Sequence, residues 1–237
     1  KEWFNSPYYH KLYGKRNHKE AETFMSHLLN YLQPQKDWRF LDLACGKGRH
    51  ASQIAAKGFD TYGVDLSPES IESAKSMAGP LLHFDVHDMR QVYKQDYFDV
   101  VLNLFTSFGY FNQPEDNVQA LKSVKANLKK NAWFVQDYFN AEKVIAALRA
   151  HETKTIDAID FEINKHIEDK KVIKHIRFVD QGVEYRFCEV VSLFNLDDFK
   201  AFYADAGFEI VAVFGDYNLQ AFDAANSDRL ILISKAI

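Results

Sequence analysis

No run of the sequence is apolar for long enough to span a bilayer, and the first residues lack the apolar core of a signal peptide. Neither membrane insertion nor export is expected, and the reducing cytoplasm is the default location. Cysteine is scarce. Cys45 and Cys188 are the only two, and they lie far apart without metal spacing. That excludes a disulfide framework and a cysteine-rich metal centre. There is no His-Glu-x-x-His pair and no spaced set of acidic ligands, so no metal is expected. An excess of positive charge is also missing. The formal net charge is −4, which gives no general field for holding nucleic acid. Lys129-Lys130 and Lys170-Lys171 read as solvated turn charges. Glycine numbers only 10 and never clusters into a flexible linker, so no freely tethered domain is expected. Internal repeats and low-complexity tracts are absent too.

What is abundant is apolar and aromatic. Apolar residues make up 47% of 237, enough for one large domain with an elaboration. Aromatics reach 15%, with Phe 20 and Tyr 12, and most of those rings must serve packing.

The chain is organised around Asp42-Leu43-Ala44-Cys45-Gly46-Lys47-Gly48-Arg49-His50-Ala51. The apolar run Phe40 to Ala44 suits a short buried strand. Arg49 to Gly58 suits a helix stopped by glycine. A strand, a glycine turn and a helix start together offer free backbone N–H groups to a ligand. At Gly46 and Gly48 no Cβ stands in the way of close approach. Such a loop also serves as a plain tight turn, so it does not decide alone.

Two further carboxylates strengthen the signal. Phe59 to Asp65 reads as a second strand ending in an acid, where an α/β nucleotide binder grips ribose hydroxyls. Leu81 to Val86 reads as a third strand leading to His87-Asp88-Met89. There Asp88 suits an exocyclic adenine amine and Met89 the face of the ring.

These blocks, with Phe98-Asp99-Val100-Val101-Leu102-Asn103-Leu104-Phe105-Thr106-Ser107-Phe108-Gly109-Tyr110-Phe111, resemble class I S-adenosylmethionine-dependent methyltransferases. The last block is similar to small-molecule members, including amine and amino-sugar N-methyltransferases. Ala44 departs from the glycine many members carry there, a tolerated variant. The resemblance implies a Rossmann-like α/β fold: a doubly wound seven-stranded sheet with its last strand antiparallel. It implies S-adenosyl-L-methionine as cofactor, leaving as S-adenosyl-L-homocysteine. It places Tyr13, Arg16, Asp42, Ala44, Cys45, Gly46, Gly48, Asp65, Leu66, Ser67, Asp88, Met89, Asn103, Leu104 and Phe105 at the cofactor. Asp42 would attract the ammonium of the methionine end, and the helix start would meet its carboxylate. The aromatic face of Phe105 would meet the sulfonium. The acceptor side draws on Tyr9, Phe108, Tyr110, Asp137, Tyr138, Asn140, Tyr185 and Arg229.

In chain order, residues 1–35 read as an aromatic arm and a helix, with Ala21, Phe24, Met25, Leu28, Leu29 and Leu32 as its buried stripe. The arm is expected over the cofactor site or clasped to the first helix. Ser67 caps a helix that has Pro68 at its first position. Gln113 to Lys130 is expected as a helix, Asn131 to Phe139 as the fifth strand, and Glu142 to Ala150 as another helix. Residues 36–150 and 194–237 form the α/β domain. Between them, 151–193 alternates apolar and polar residues with turns at 168–170 and 180–182, which argues inserted antiparallel hairpins. They would act as a substrate lid or as the surface of a homodimer. Leu196 to Ala206 is a helix capped by Asn195 and stopped at Gly207, and strands follow at 208–214 and 227–235.

The implied chemistry is in-line methyl transfer to a small-molecule acceptor, with nitrogen as the expected atom. The donor is activated by its own charge, so positioning and water exclusion suffice and no catalytic dyad is needed. Asp137, Tyr138, His166 and His175 are candidate bases, none singled out. No Asp-Pro-Pro-Tyr motif follows the fourth strand, which argues against nucleobase or glutamine amines. Two other classes stay open. Gly46-Lys47-Gly48-Arg49-His50-Ala51 also satisfies G-x-G-x-x-A, the pattern of a nicotinamide-dependent oxidoreductase. Asp42 before the loop would repel a pyrophosphate. A methyltransferase-fold protein that binds without turnover is the third class.

Overall fold

The computed structural model describes residues 2–13 and 18–237. The elements run in this order: α1 (Glu2–Asn5), α2 (Pro7–Tyr13), α3 (His18–Leu32), β1 (Arg39–Leu43), α4 (Arg49–Ala55), β2 (Asp60–Asp65), α5 (Pro68–Lys75), β3 (Leu82–Val86), β4 (Phe98–Asn103), α6 (Glu115–Asn127), β5 (Leu128–Phe139), α7 (Ala141–Ala146), β6 (His151–Ile156), β7 (Ile159–Glu168), β8 (Lys171–Asp180), β9 (Val183–Ser192), α8 (Leu196–Ala206), β10 (Phe208–Phe214) and β11 (Arg229–Ala236). Among the described residues, eleven strands fall into two sheets. Seven form one sheet in the order β10-β11-β5-β4-β1-β2-β3, and β6 to β9 form a separate meander.

In the large sheet β1 to β5 pair in parallel, while β11 runs antiparallel to both β5 and β10. Its strands are apolar on both sides, as a sheet covered by helices requires. Leu41, Val101 and Leu232 face a cluster shared with α6 and α8. Phe40, Val100 and Ile233 face the opposite cluster, shared with α3 and α4. The parallel strands therefore end along one edge, where open α/β sheets bind ligands.

The caps fall as the sequence predicts. Ser67 Oγ accepts from Ser70 N at 3.1 Å, with Pro68 at the first helical position. Asn195 and Asp198 form a capping box, and Gly207 closes α8 with φ 82. Two boundaries differ. The apolar spacing Val118, Leu121, Val124, Leu128 continues past the helix. Yet α6 stops at Asn127, whose Oδ1 accepts from Tyr93 N and Lys94 N, both at 2.8 Å. Leu128 is buried as the first residue of β5 instead. Likewise α7 ends at Ala146, because β6 claims the chain from His151.

The inserted sheet is amphipathic. Ile159, Phe161, Ile163, Ile176 and Phe178 are buried on one face, and Trp3 and Leu12 from α1 and α2 pack on them. Trp3 lies 4.7 Å from Phe187, and Tyr8 lies 4.6 Å from Phe178, centroid to centroid. The aromatic arm thus docks on the inserted sheet. Among the described residues no helix is long and apolar enough to cross a membrane.

Candidate active site

The turn between β1 and α4 is built from left-handed backbone. Ala44, Gly46 and Gly48 have φ 63, 56 and 79. The two glycines do different work. A Cβ on Gly46 would meet nothing within 4 Å, because this residue faces an open cavity. A Cβ on Gly48 would lie 2.5 Å from the Phe84 ring, so this glycine admits β3 packing and does not face the ligand space. Asp65 fastens the turn: its Oδ2 accepts from Gly46 N and its Oδ1 from Ser67 N, both at 2.8 Å. Burial pushes its carboxyl up, against those two hydrogen bonds.

The cavity measures about 1320 Å³. Single small-molecule sites are typically about 300–1,000 Å³, so this cavity exceeds the usual volume for one ligand. Its lining includes Ala44, Gly46, Asp65, Leu66, Ser67, Asp88, Met89 and Phe105 from the expected cofactor set, and Tyr9, Tyr13, Phe108, Tyr110, Asn140 and Arg229. These expected residues come together. The Asp88 carboxylate is forked by Arg90, at 2.6 Å from Nη2, which lowers its pKa. Phe105 has His50 stacked on it at 4.9 Å, and the Arg49 guanidinium lies 4.9 Å from its centroid.

Several expected residues are elsewhere. Asp42 is buried beneath the turn and accepts from Ala51 N at 3.2 Å. It ties β1 to α4 and does not line the cavity, and it occupies an N–H of the helix start. Cys45 packs in the small core with Ile71 and Phe84, where burial drives its thiol pKa upward. Asn103 donates to Leu43 O at 3.0 Å and accepts from Gln136, joining neighbouring strands inside the sheet. Leu104 is core. Arg16 lies outside the described residues.

On the acceptor side, Asp137 is fully buried. Its Oδ1 accepts from Arg229 Nε at 2.8 Å and its Oδ2 from Phe105 N at 2.8 Å. Arg229 also donates to Thr106 Oγ1 at 3.0 Å. This ion pair holds Phe105 and Thr106, whose φ values are 57 and 60, and so shapes the loop after β4. Tyr138 is buried too. Its hydroxyl donates to Ser192 O, and burial raises its pKa. Neither is a base facing the cavity. Tyr185 sits in the apolar end of the inserted sheet, 5.1 Å from Phe178, because its place on β9 is far from the opening. His166 and His175 stack at 5.7 Å on exposed strand positions outside the cavity.

The cavity also contains Lys165, Lys174 and Glu189 from the inserted sheet, and Phe4 from the arm. The sequence did carry a signal for the three charges. They continue the period-2 series of Ile163, Ile176 and Phe187, so strand parity alone places them on the covered face.

The comparisons with known proteins agree with this geometry. Residues 34–183 match the family model described as a methyltransferase domain. The putative methyltransferase YqeM of Bacillus subtilis (strain 168) is 30% identical over 209 residues, covering 83% of each chain. A dTDP-3-amino-3,4,6-trideoxy-alpha-D-glucopyranose N,N-dimethyltransferase of Streptomyces venezuelae is 25% identical over 181 residues, 72% of this chain and 75% of that one. In fold, the crystal structure of an S-adenosylmethionine-dependent methyltransferase from Clostridium acetobutylicum ATCC 824 superposes with TM-score 0.81, at 20% identity and 96% and 95% coverage. The antiparallel last strand of the large sheet and the match over more than half of the sequence lead to one family: the chain belongs to the class I S-adenosylmethionine-dependent methyltransferases.

Proposed function

We propose that this protein moves a methyl group from S-adenosylmethionine to a nitrogen of a small molecule. The observation that carries the reading is the single cavity that runs from the glycine turn to the inserted sheet. The turn fits the donor: Gly46 opens onto the void, and Asp65 stands beside it. The Asp65 carboxylate, held by backbone N–H groups, keeps acceptor capacity for a ribose hydroxyl. Asp88 and Met89 suit the adenine. The bound donor supplies an electrophilic methyl on a positively charged sulfur. The chain's own contribution is placement and exclusion of water. Arg229 and Asp137 fix the floor beside Phe105, and residues 151–193 with the arm serve as the roof. Nitrogen is favoured because the Streptomyces venezuelae relative is named for dimethylating an amino sugar.

Calorimetry with S-adenosylhomocysteine and with NADH tests the donor. The first binds and the second does not. Asp65→Ala weakens donor binding by about 1–3 kcal/mol, the scale of hydrogen bonds to a charged group. Labelled donor is then incubated with amino-sugar nucleotides, with glycine and with their hydroxyl counterparts. Label appears only on the amines; label on the hydroxyl compounds alone refutes nitrogen transfer.

A further inference from the structure

The covered face of the inserted sheet ends in a row of charges. Lys165 pairs across strands with Lys174, and Lys174 with Glu189. Like charges set directly opposite each other cost stability. Here Glu152 offsets Lys165 at 2.7 Å and Glu189 offsets Lys174 at 3.4 Å.

Glu189 is the most enclosed of the four, at 8% exposure. Three donors converge on one of its oxygens, Oε2: Trp3 Nε1 at 3.3 Å, Tyr13 Oη at 2.8 Å and Lys174 Nζ at 3.4 Å. No donor among the described residues reaches Oε1. That oxygen is left as an acceptor on the lining of the cavity, open to a donor from a ligand. Tyr110 stands in the same part of the cavity, edge-on to Phe4 at 5.2 Å, and its hydroxyl has no hydrogen-bond partner among the described residues. Burial, and then the charge of Glu189, hold its pKa well above the ordinary value, so it stays un-ionised.

We infer that Glu189 Oε1 and Tyr110 Oη take the two N–H bonds of the acceptor amine and leave its lone pair uncovered. The inference rests on the nitrogen-transfer reading above and narrows it to primary amines, which alone carry two N–H bonds. Lys174 balances the charge of Glu189, so the pair as a whole is neutral and favours the free amine over its ammonium form. A tertiary amine has no N–H to offer, and an alcohol has only one hydrogen. Glu189 and Tyr110 are positioning residues on this account.

The test uses the full chain labelled with 15N and saturated with S-adenosylhomocysteine. It is titrated with benzylamine, N,N-dimethylbenzylamine and benzyl alcohol. The indole N–H of Trp3 reports, because it rests on the same carboxylate; Trp38 and Trp133 are internal controls. Benzylamine shifts the Trp3 signal, and the other two need at least about tenfold higher concentration, the worth of one hydrogen bond to a charged group. Glu189→Gln abolishes the preference. Tyr110→Phe leaves the Oε2 contacts alone and weakens benzylamine several-fold, while calorimetry with S-adenosylhomocysteine shows that the variant is folded. Equal binding of the three probes, or unchanged benzylamine binding in Tyr110→Phe, overturns the inference. If the wild-type chain binds no S-adenosylhomocysteine, the methyltransferase reading itself falls; if it binds that and not benzylamine, only this inference does.

Discussion

Asp42 looks in the sequence like a ligand for a cation, and in the fold it is a buried tie between β1 and α4. Burial pushes its carboxyl up to about 7, opposed by the hydrogen bond from Ala51 N. An unfolded aspartate titrates at about 3.9. Between those two values the folded chain binds the extra proton, so stability falls as pH rises through that window. The contribution is complete below about pH 4 and gone above about pH 7. Asp42→Asn keeps an acceptor for Ala51 N and removes the charge. It raises the melting temperature above pH 7, by about 2–4 °C for each kcal/mol relieved, and the gain vanishes near pH 4. Thermal melts at pH 4, 6 and 8 check this, and a pH-independent gain contradicts it. The same lesson holds at Asp137 and Tyr138. Their residue types and their places at the strand end were legible, but which atoms they touch depends on Arg229, Phe105 and Ser192, and no local pattern states that.

Among the elements, the turn after β1 separates two glycines that the sequence presents as equivalent. Alanine at either position meets the left-handed penalty of about 1–2 kcal/mol. At Gly48 it also strikes Phe84, so Gly48→Ala loses more melting temperature than Gly46→Ala. At Gly46 the added methyl enters the cavity, so Gly46→Ala loses about tenfold or more in S-adenosylhomocysteine affinity. Melting curves and calorimetry on the pair check the crossover; the same ranking in both measurements contradicts it. Helix starts were legible because Ser67-Pro68 and Asn195 carry their own signals. Hairpin turns were legible only in part. Asp157-Ala158, Asp169-Lys170 and Gln181-Gly182 all have φ between 48 and 79 at both positions. Only the last offers a glycine, so the turn at 157–158 left no mark. The overrun of α6 has the converse cause: an apolar spacing that suits a helix was spent on the first residue of a strand.

For the molecule as a whole, the large sheet was legible because each strand, loop and helix is local. The arm's place at the cavity was legible in Tyr9 and Tyr13, but its seat on the inserted sheet was not, because that partner is distant: Trp3 and Glu189 are 186 residues apart. Trp3→Ala removes a buried ring from the arm's interface with β9, a loss of about 3–5 kcal/mol for such a truncation. Backbone hydrogen exchange then quickens in β8 and β9 and stays slow in β1 and β4; uniform quickening would show that the two sheets open as one. The same long reach has a consequence for how the protein is made. The arm leaves the ribosome well before its seat on β9, since Trp3 and its partner Glu189 are separated by 186 positions. Until that seat emerges, the arm's tryptophan, tyrosines and phenylalanine remain in water, available to chaperones.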